Sequence, residues 1–303
     1  MKVAVMGAGA VGGYFGALLH RGGLEVTLIA RGRHLEAIQA RGLHIKSIQG
    51  DFTAPVKAVG DPRAIGPVEL ILFCVKSFDT ESAARQCLPI VQEGTTILSL
   101  QNGVDNEEKI GGVVGKEKVL GGVAYIVAAV PAPGVIMHSG EGRIVFGEVY
   151  GGISERVRRL DQTFRDAGLP AEVSANIQAV LWEKLCWNAP FNAINVLVGG
   201  EVRALVERPE VNALAREVME EVRRVAAAEG IRLPEGMVDK LLRWTATAAA
   251  GMKTSTRQDL EAGKPLEVDA LNGVVVRKGR AAAVPTPLNF ALYALLKAVD
   301  PGP

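Results

Sequence analysis

One short string near the N-terminus constrains the fold of this chain more than any other feature. The apolar run at residues 2–6 is followed by Gly7-Ala8-Gly9-Ala10-Val11-Gly12, and residues 11–21 have helical character. A GxGxxG string between a strand and a helix is typical of a dinucleotide-binding turn. The first glycine allows the tight turn, the second lets the backbone approach a pyrophosphate, and the third permits close packing of helix on strand. We therefore predict that this string binds a dinucleotide at the helix N-terminus, the alternative being a plain glycine turn.

Strand-like and helix-like segments alternate through the next part of the chain. The strand-like segments include apolar runs of the kind that is buried on both faces, such as VELILFCV at 68–75. Alternation of this type predicts a parallel sheet covered by helices on both faces. The predicted strands are 25–29, 43–47, 52–56, 68–75 and 95–100, with 43–47 and 52–56 as a small excursion, and the predicted helices are 33–40 and 78–88.

Residues 118–149 differ from the segments before them. Three strand-like pieces are separated by PAPG and GEG turns, which predicts antiparallel additions at one side of the sheet. From about residue 176 the strand pattern ends and helical spacing takes over. We therefore predict two domains, an α/β domain at residues 1–175 and an all-helical domain at 176–303. The remaining predicted elements are a helix at 153–167, a strand at 171–174, and helices at 178–195, 207–229, 235–250, 267–282 and 288–298.

Composition excludes several classes of protein. The 303 residues carry 34 Lys and Arg against 33 Asp and Glu, so the net charge of +1 provides no bulk cationic field for nucleic acid or anionic lipid. The three cysteines lack CxxC spacing and the four histidines are scattered, which argues against a disulfide framework and against a metal site. With neither a membrane-length apolar run nor a signal sequence, we expect no membrane partner and a cytoplasmic location.

The end of the second predicted strand bears on the choice between NAD and NADP. NAD-binding proteins usually carry Asp or Glu about 20 residues after the loop, where it bonds the ribose 2′-hydroxyl. Here the strand is followed by Ala30-Arg31-Gly32-Arg33, and the nearest carboxylate is Glu36. A guanidinium can hold a 2′-phosphate through two hydrogen bonds. We therefore predict NADP(H), with Arg31 as the first candidate and Arg33 as the second; the alternative is a pair of solvated loop charges.

Two further polar positions directly follow buried strands. Lys76 comes after the strand at 68–75, and Gln101-Asn102-Gly103 comes after the strand at 95–100. Open α/β sheets bind ligands beyond the carboxyl ends of their strands. Lys76 is therefore predicted to neutralise a cofactor phosphate or a substrate charge, and Asn102 to bond a nicotinamide amide or a substrate carbonyl. A surface lysine and an Asn-Gly turn are the alternatives.

A polar stripe crosses the otherwise apolar helix predicted at 178–195. At 100° per residue, its four polar positions fall within roughly 80° of arc around the helix axis, and so lie on one face. Asn is a poor helix former, and polar groups in apolar surroundings need partners. A substrate with oxygen atoms is one such partner, and hydrogen bonds between helices or a salt bridge are the alternative. The stripe consists of Lys184, Asn188, Asn192 and Asn195, and Pro190 is predicted to kink the helix beside it.

Lys184 has the chemistry of a general acid. Reduction of a ketone creates an alkoxide oxygen that must be stabilised and protonated, and an ammonium group can do both. No histidine lies in the helical half of the chain to compete for this role.

Together these motifs resemble the ketopantoate reductase family over nearly the whole chain. The resemblance rests on GAGAVGG, Arg31, CVKSFDT around Lys76, LQNGVDNE around Asn102, the WEKL string with the asparagines after it, and TSTRQDLEAGKPLEVDALNG at 254–273. It implies an N-terminal Rossmann-type dinucleotide-binding domain and an all-α C-terminal domain like that of 6-phosphogluconate dehydrogenase. It also implies NADPH-dependent reduction of 2-dehydropantoate (ketopantoate) to (R)-pantoate, in pantothenate and coenzyme A biosynthesis.

The resemblance also implies roles for individual residues. Lys184 matches the general acid of the family, and Glu267 an acid at the substrate and nicotinamide end. Contacts with substrate or cofactor are implied for Asn102, Asn188, Asn192 and Ser255. From the pattern alone, Ser255 is an N-cap and Glu267 a first-turn acid of the helix at 267–282. The implied partner is a small 2-keto acid, and whether the chain forms a homodimer is left open.

Two rival functions share these features. Another hydroxyacid dehydrogenase, acting on a different 2-keto acid, would have the same fold, loop and helix lysine, with Glu267 as the discriminating partner of a substrate 4-hydroxyl. A non-catalytic NADPH-binding regulator is the second rival, but it needs no proton donor such as Lys184. The conformation of residues 250–266 is left open.

Overall fold

The structure is a computed structural model that describes residues 1–248 and 251–302. The chain splits into two compact units, one formed by Met1–Gln101 and Asn106–Gln178 and the other by Asn102–Asp105 and Ala179–Pro303. The strands are β1 (Lys2–Met6), β2 (Glu25–Ile29), β3 (Leu43–Ser47), β4 (Phe52–Ala54), β5 (Lys57–Val59), β6 (Leu70–Phe73), β7 (Thr96–Ser99), β8 (Val119–Ala132), β9 (Val135–Glu148) and β10 (Ala171–Val173). The helices are α1 (Ala10–Arg21), α2 (Gly32–Arg41), α3 (Thr80–Cys87), α4 (Asn106–Val114), α5 (Glu155–Asp166), α6 (Ile177–Val198), α7 (Val202–Val206), α8 (Pro209–Ala228), α9 (Met237–Ala248), α10 (Ser255–Glu261), α11 (Asn272–Ala281) and α12 (Pro287–Val299).

A 10-stranded sheet forms the centre of the first unit. Its order is β4-β3-β9-β8-β7-β6-β1-β2-β5, with β10 also paired to β9. All neighbours from β8 to β5 run parallel. The strand β6 is buried at every position, as expected for a parallel strand covered on both faces. The predicted fold class, a Rossmann-type α/β region followed by a helical region, is confirmed.

Helices cover the two faces of this sheet with separate hydrophobic cores. Along β1, Val3 and Val5 belong to one core, whereas Ala4 and Met6 belong to the other, because side chains of a strand alternate between faces. The first core contains buried residues of α1 and α5, and the second contains buried residues of α3 and α4. The helix α4 was not predicted, since Gly111 and Gly112 interrupt its apolar pattern.

The region at 118–149 forms two long strands rather than the three predicted pieces. PAPG is the turn between β8 and β9, but GEG lies inside β9, where the pairing with β8 shifts register. Glu141 has φ 57 and Gly142 has φ 113, so the sequence that reads as a turn is accommodated as a β-bulge. The pair β8–β9 is antiparallel, as predicted, whereas β3 and β10 join β9 in parallel.

The sheet of the first unit must curl strongly. The strands β4 and β5 stand at opposite ends of the strand order, yet only Pro55 and Val56 separate them in the chain. Three Cα–Cα steps reach at most about 11 Å, so the two edges approach each other at this point. The prediction of one strand over 52–56 was wrong because Pro55 cannot donate to a strand ladder, and the chain crosses there from one edge to the other.

The second unit is helical in its described part. The helix α6 continues through Pro190, and the predicted helix at 235–250 is α9, with residues 249 and 250 outside the described ranges. Two short helices were not predicted, α7 and α10, the latter within the stretch left open at 250–266. The helix predicted at 267–282 begins only at Asn272, after a turn.

A buried polar network connects four helices of this unit. The carboxylate of Glu221 accepts from the backbone N–H groups of Leu288 and Asn289, each at 2.9 Å, and so caps the N-terminus of α12. Asn272 donates to the Asn289 side chain and to the carbonyl oxygen of Ala189 in α6, both at 3.1 Å. The middle of α6 is therefore held by α8, α11 and α12.

Within the described ranges, no helix combines the length and apolar character needed to cross a membrane.

Candidate functional site

In the N-terminal loop, Gly7 and Gly12 are crowded by neighbouring atoms, whereas Gly9 is not. Gly7 has φ +97, and a Cβ there would lie 2.9 Å from the backbone nitrogen of Val75. A Cβ on Gly12 would lie 2.2 Å from the carbonyl oxygen of Gly7. At Gly9, by contrast, a Cβ would meet nothing within 4 Å, so the protein itself leaves this position open. An open backbone position at the start of α1 is what a bound pyrophosphate requires, and the loop therefore fits a dinucleotide.

The segments that carry Arg31 and Lys76 flank this loop. The strand β1 lies between β2 and β6, with Met6 opposite Ile29 on one side and Phe73 on the other. Neighbouring strands lie about 4.8 Å apart, so the chain leaves three adjacent strands at the same edge of the sheet. The structure thus brings together the strand ends that were predicted to form the cofactor site.

Arg31 is exposed at this edge. Its Nη1 atom lies 3.7 Å from Oδ2 of Asp79, and both side chains remain substantially exposed to solvent. An exposed ion pair at this distance contributes little to stability. Arg33 is also exposed, and residues 30–33 include no carboxylate. Both the predicted 2′-phosphate contact and the alternative of a solvated charge are compatible with this arrangement.

A buried amide that was not predicted as functional fixes the segment after β6. Gln101 is 5% exposed, and its Nε2 atom donates to the carbonyl oxygen of Val75 at 3.0 Å and to Oγ1 of Thr80 at 2.8 Å. Thr80 in turn donates to the carbonyl oxygen of Ser77 at 2.8 Å. Gln101 therefore connects the ends of β6 and β7 around Lys76. The sequence signal was a polar residue at a strand end, noted only as the neighbour of Asn102.

Lys184 and Glu267 form the chemically distinctive pair of the second unit. Burial lowers the pKa of Lys184 to about 8, and the negative charge of Glu267 acts in the opposite direction. The Glu267 side chain is 6% exposed. It lies in the turn before α11, so the interpretation as a first-turn acid was wrong. A lysine with this pKa exchanges its proton close to neutral pH, which suits a general acid.

The asparagines of the stripe hold the segment that contains Ser255. Asn192 Oδ1 accepts from Oγ1 of Thr256 at 2.8 Å, and Asn195 Oδ1 accepts from the backbone nitrogen of Thr254 at 3.0 Å and from its Oγ1 at 3.1 Å. These are the hydrogen bonds between helix and neighbouring segment that were weighed as the alternative to substrate binding. Both threonines are buried, whereas Ser255 between them is exposed.

This arrangement corrects the interpretation of Ser255 as an N-cap. The N-cap of α10 is Thr254, whose side chain accepts from the backbone nitrogen of Arg257, and Ser255 is the first helical residue. Ser255 is consequently not needed for capping and projects from a firmly held segment. The partner of Asn195 was not predicted, since Thr254 lies 59 residues away in the sequence.

Two other predicted residues occupy positions of different kinds. Asn188 is buried on α6, and its backbone oxygen accepts from Nδ2 of Asn192 at 3.1 Å. Asn102 is partly buried in the bend before α4, where Gly103 has φ +111, a conformation that favours glycine. A ligand contact by either residue stays a prediction. Among the described residues, no group of three His, Cys, Asp or Glu side chains could hold a metal ion.

Comparison with known proteins identifies relatives over both units. Residues 3–151 match the family model described as ketopantoate reductase PanE/ApbA, and residues 176–300 match that described as ketopantoate reductase PanE/ApbA C terminal. A 2-dehydropantoate 2-reductase of Mesorhizobium japonicum is 35% identical, and the match covers 98% of this chain and 97% of the relative.

Solved structures agree with this relationship. The crystal structure of a PanE/ApbA family ketopantoate reductase from Ralstonia eutropha JMP134 is 40% identical with a TM-score of 0.92, covering 99% of this chain and 98% of the other. A ternary structure of D-mandelate dehydrogenase with NADH and anilino(oxo)acetate has 26% identity and the same TM-score of 0.92, again covering 99% of this chain and 98% of the other.

Removal of the Asn195 clamp is expected to destabilise the second unit. Asn195→Ala leaves the buried N–H and hydroxyl groups of Thr254 without their acceptor, at a cost of about 1–3 kcal/mol in the free energy of unfolding. The control Ser255→Ala changes an exposed side chain and should cost less than about 0.5 kcal/mol. Urea denaturation of both variants measures the difference, and equal stabilities would contradict the clamp.

Proposed function

This chain belongs to the ketopantoate reductase family of dinucleotide-dependent oxidoreductases, and from that premise we propose that it reduces 2-dehydropantoate to (R)-pantoate with NADPH. The observation that carries the proposal is Lys184, a lysine whose pKa is lowered to about 8 and which interacts with the buried carboxylate of Glu267. A proton donor of this kind is what a ketone reductase requires and a nucleotide sensor does not. The names of the relatives supply the substrate.

We assign cofactor binding mainly to a domain formed by residues 1–175. The loop Gly7–Gly12 would receive the pyrophosphate, Arg31 the 2′-phosphate, and Lys76 a phosphate or the charge of the substrate. Asn102 and Glu267 are assigned to the nicotinamide end. When bound, NADPH supplies the hydride for this class of reduction. The open position at Gly9 and the exposed guanidinium of Arg31 support these assignments.

We assign the chemistry of the substrate to a domain formed by residues 176–303. Lys184 would stabilise the negative charge that develops on the C2 oxygen and then protonate it. Glu267 would accept a hydrogen bond from the C4 hydroxyl, and Ser255 would bind the carboxylate together with an asparagine amide. Asn188 is the candidate for that amide, because the side chain of Asn192 already bonds Thr256 and the Asn188 backbone.

The direct test is an absorbance assay of NADPH oxidation with ketopantoate, run beside NADH. Ketopantoate-dependent oxidation, faster with NADPH than with NADH, is the expected result. Binding of NADPH without any turnover of ketopantoate would support the non-catalytic regulator instead. Faster oxidation of NADH would overturn the assignment of NADP(H).

The likeness to D-mandelate dehydrogenase supports a second candidate, reduction of a different 2-keto acid. A panel of 2-keto acids with and without a 4-hydroxyl group distinguishes the two. Selectivity for ketopantoate that is lost in Glu267→Gln supports the first candidate, since the carboxylate is the assigned partner of the 4-hydroxyl. A higher kcat/KM for an aromatic 2-keto acid would support the second.

Loss of the lysine is expected to abolish most of the catalytic rate. Lys184→Ala should lower kcat by about 10²–10⁴-fold, the range for removal of a general acid. The matched control is Lys240→Ala, because Lys240 lies in the same unit but is exposed. Steady-state assays at saturating NADPH and ketopantoate measure the effect, and an unaltered kcat in Lys184→Ala would disprove the role.

The pH profile should report the lowered pKa of Lys184. Only the protonated lysine can donate, so kcat/KM is expected to fall as pH rises through about 8. In Glu267→Gln, the charge that holds the proton on Lys184 is removed, and the midpoint should move to lower pH. Glu235→Gln, which removes an exposed charge, is the control. Profiles measured from pH 6 to 10 that coincide for all three proteins would contradict the coupling.

Arg31 is expected to set the preference for the phosphorylated cofactor. Arg31→Ala should raise the KM for NADPH about tenfold, since one charge-assisted contact is lost, and leave the KM for NADH unchanged. Arg33→Ala tests the second candidate for this contact, and Arg158→Ala, at an exposed arginine of α5, is the control. Kinetics with both cofactors measure the ratio, and an equal loss with NADPH and NADH would mean that Arg31 does not contact the 2′-phosphate.

A further inference from the structure

The imidazole ring of His34 connects the glycine-rich loop to the β8–β9 hairpin. Nε2 of His34 lies 2.9 Å from the carbonyl oxygen of Ala8, and Nδ1 accepts from the backbone N–H of Gly134 at 3.0 Å. Because Nδ1 is an acceptor, the ring proton is on Nε2, which therefore donates to Ala8. The two bonds reach 26 residues back and 100 residues forward along the chain.

The tip of the β8–β9 hairpin, to which Nδ1 of His34 bonds, is itself held by α2 and β3. Arg41 of α2 donates to the carbonyl oxygen of Pro133 at 3.0 Å, and the backbone of His44 donates to the carbonyl oxygen of Gly134 at 2.9 Å. A Cβ on Gly134 would lie 2.9 Å from the Cβ of Ala37, so the tip packs closely on α2. The Nδ1 bond therefore ties the ring to a fixed element.

The bond to Ala8 determines the direction of the next N–H group. The peptide unit that joins Ala8 to Gly9 is planar and trans, so its C=O and N–H point in opposite directions. With the carbonyl directed at His34, the N–H of Gly9 points away from the ring. The other side of Ala8 is also held, since its own N–H donates to Ile29 of β2 at 3.1 Å.

We propose that His34 is a positioning residue for the dinucleotide, acting through the Ala8 carbonyl to orient the Gly9 N–H toward the pyrophosphate. The inference rests on the proposed binding of NADPH by the first unit but is independent of which keto acid is reduced. Gly9 is exposed, and a Cβ there would meet nothing within 4 Å, so a ligand can approach the residue whose N–H His34 orients.

Substitution of His34 by glutamine or by asparagine removes the two hydrogen bonds of the ring one at a time. Gln places its amide nitrogen near the position of Nε2, so His34→Gln retains a donor to Ala8 and loses the acceptor for Gly134. Asn places its amide oxygen near the position of Nδ1, so His34→Asn retains the acceptor and loses the donor. His34→Ala loses both. The measurements are the Kd for NADPH from nucleotide fluorescence, without keto acid, and the Tm of the unliganded protein.

The Kd for NADPH should rise about three- to tenfold in His34→Asn and His34→Ala and stay within about twofold in His34→Gln. The Tm should fall by similar amounts in the Gln and Asn variants, because each loses one hydrogen bond. The KM for NADPH should follow the Kd, with kcat unchanged at saturation. A merely structural role would change the Kd for NADPH alike in the Gln and Asn variants, whereas a positioning role changes it only in the Asn variant. The comparison of these two variants stays decisive even when His34→Ala does not fold.

Two results would overturn the proposal in different ways. A His34→Asn variant that binds NADPH as tightly as the wild type, or a His34→Gln variant as weak as His34→Asn, would disprove the role of His34 alone. Wild-type protein that binds neither NADPH nor NADH would overturn the proposed function as well.

Discussion

The parallel pairing of β1 with β2 on one side and β6 on the other is the interaction on which the first unit depends. It brings the loop after β1 between the segments that carry Arg31 and Lys76. The close contact of Gly7 with Val75 then follows, because the loop must turn directly against the end of β6. The requirement for glycine at the turn is thus a product of sheet register, whereas at Gly9 the protein itself leaves the space of a Cβ open.

Local patterns predicted the parts of the fold that depend on local physics. The buried strands and most helices were predicted from apolar runs and helical spacing. The glycine-rich loop was then a site candidate because it follows a strand and opens a helix, and Lys184 because it lies in a polar stripe of a helix. The missed elements have identifiable causes, such as the paired glycines in α4 and Pro55 between β4 and β5. The contacts of His34 and Asn195 were not predicted, because their partners are distant in the sequence and are chosen only by the folded chain.

The polar residues of the stripe on α6 have two different roles, which their helical spacing in the sequence does not distinguish. Lys184 is kept in surroundings that lower its pKa, whereas Asn195 is satisfied by hydrogen bonds within the unit. Because a buried amide without a partner is costly, such a residue marks either a ligand or a long-range clamp. Here Asn192 and Asn195 bind the two threonines that enclose Ser255, which explains how one exposed hydroxyl is presented on a short helix.

The two-residue connection at Pro55 and Val56 has a consequence for the behaviour of this protein at high concentration. A broad open sheet normally offers two unpaired edges on which a strand of another molecule can add, the first step of edge-to-edge aggregation. Here each edge strand is only 3 residues long, and the connection brings the two edges near each other beside a proline. The same curl that gives the first unit its form thus leaves little template for intermolecular strand addition.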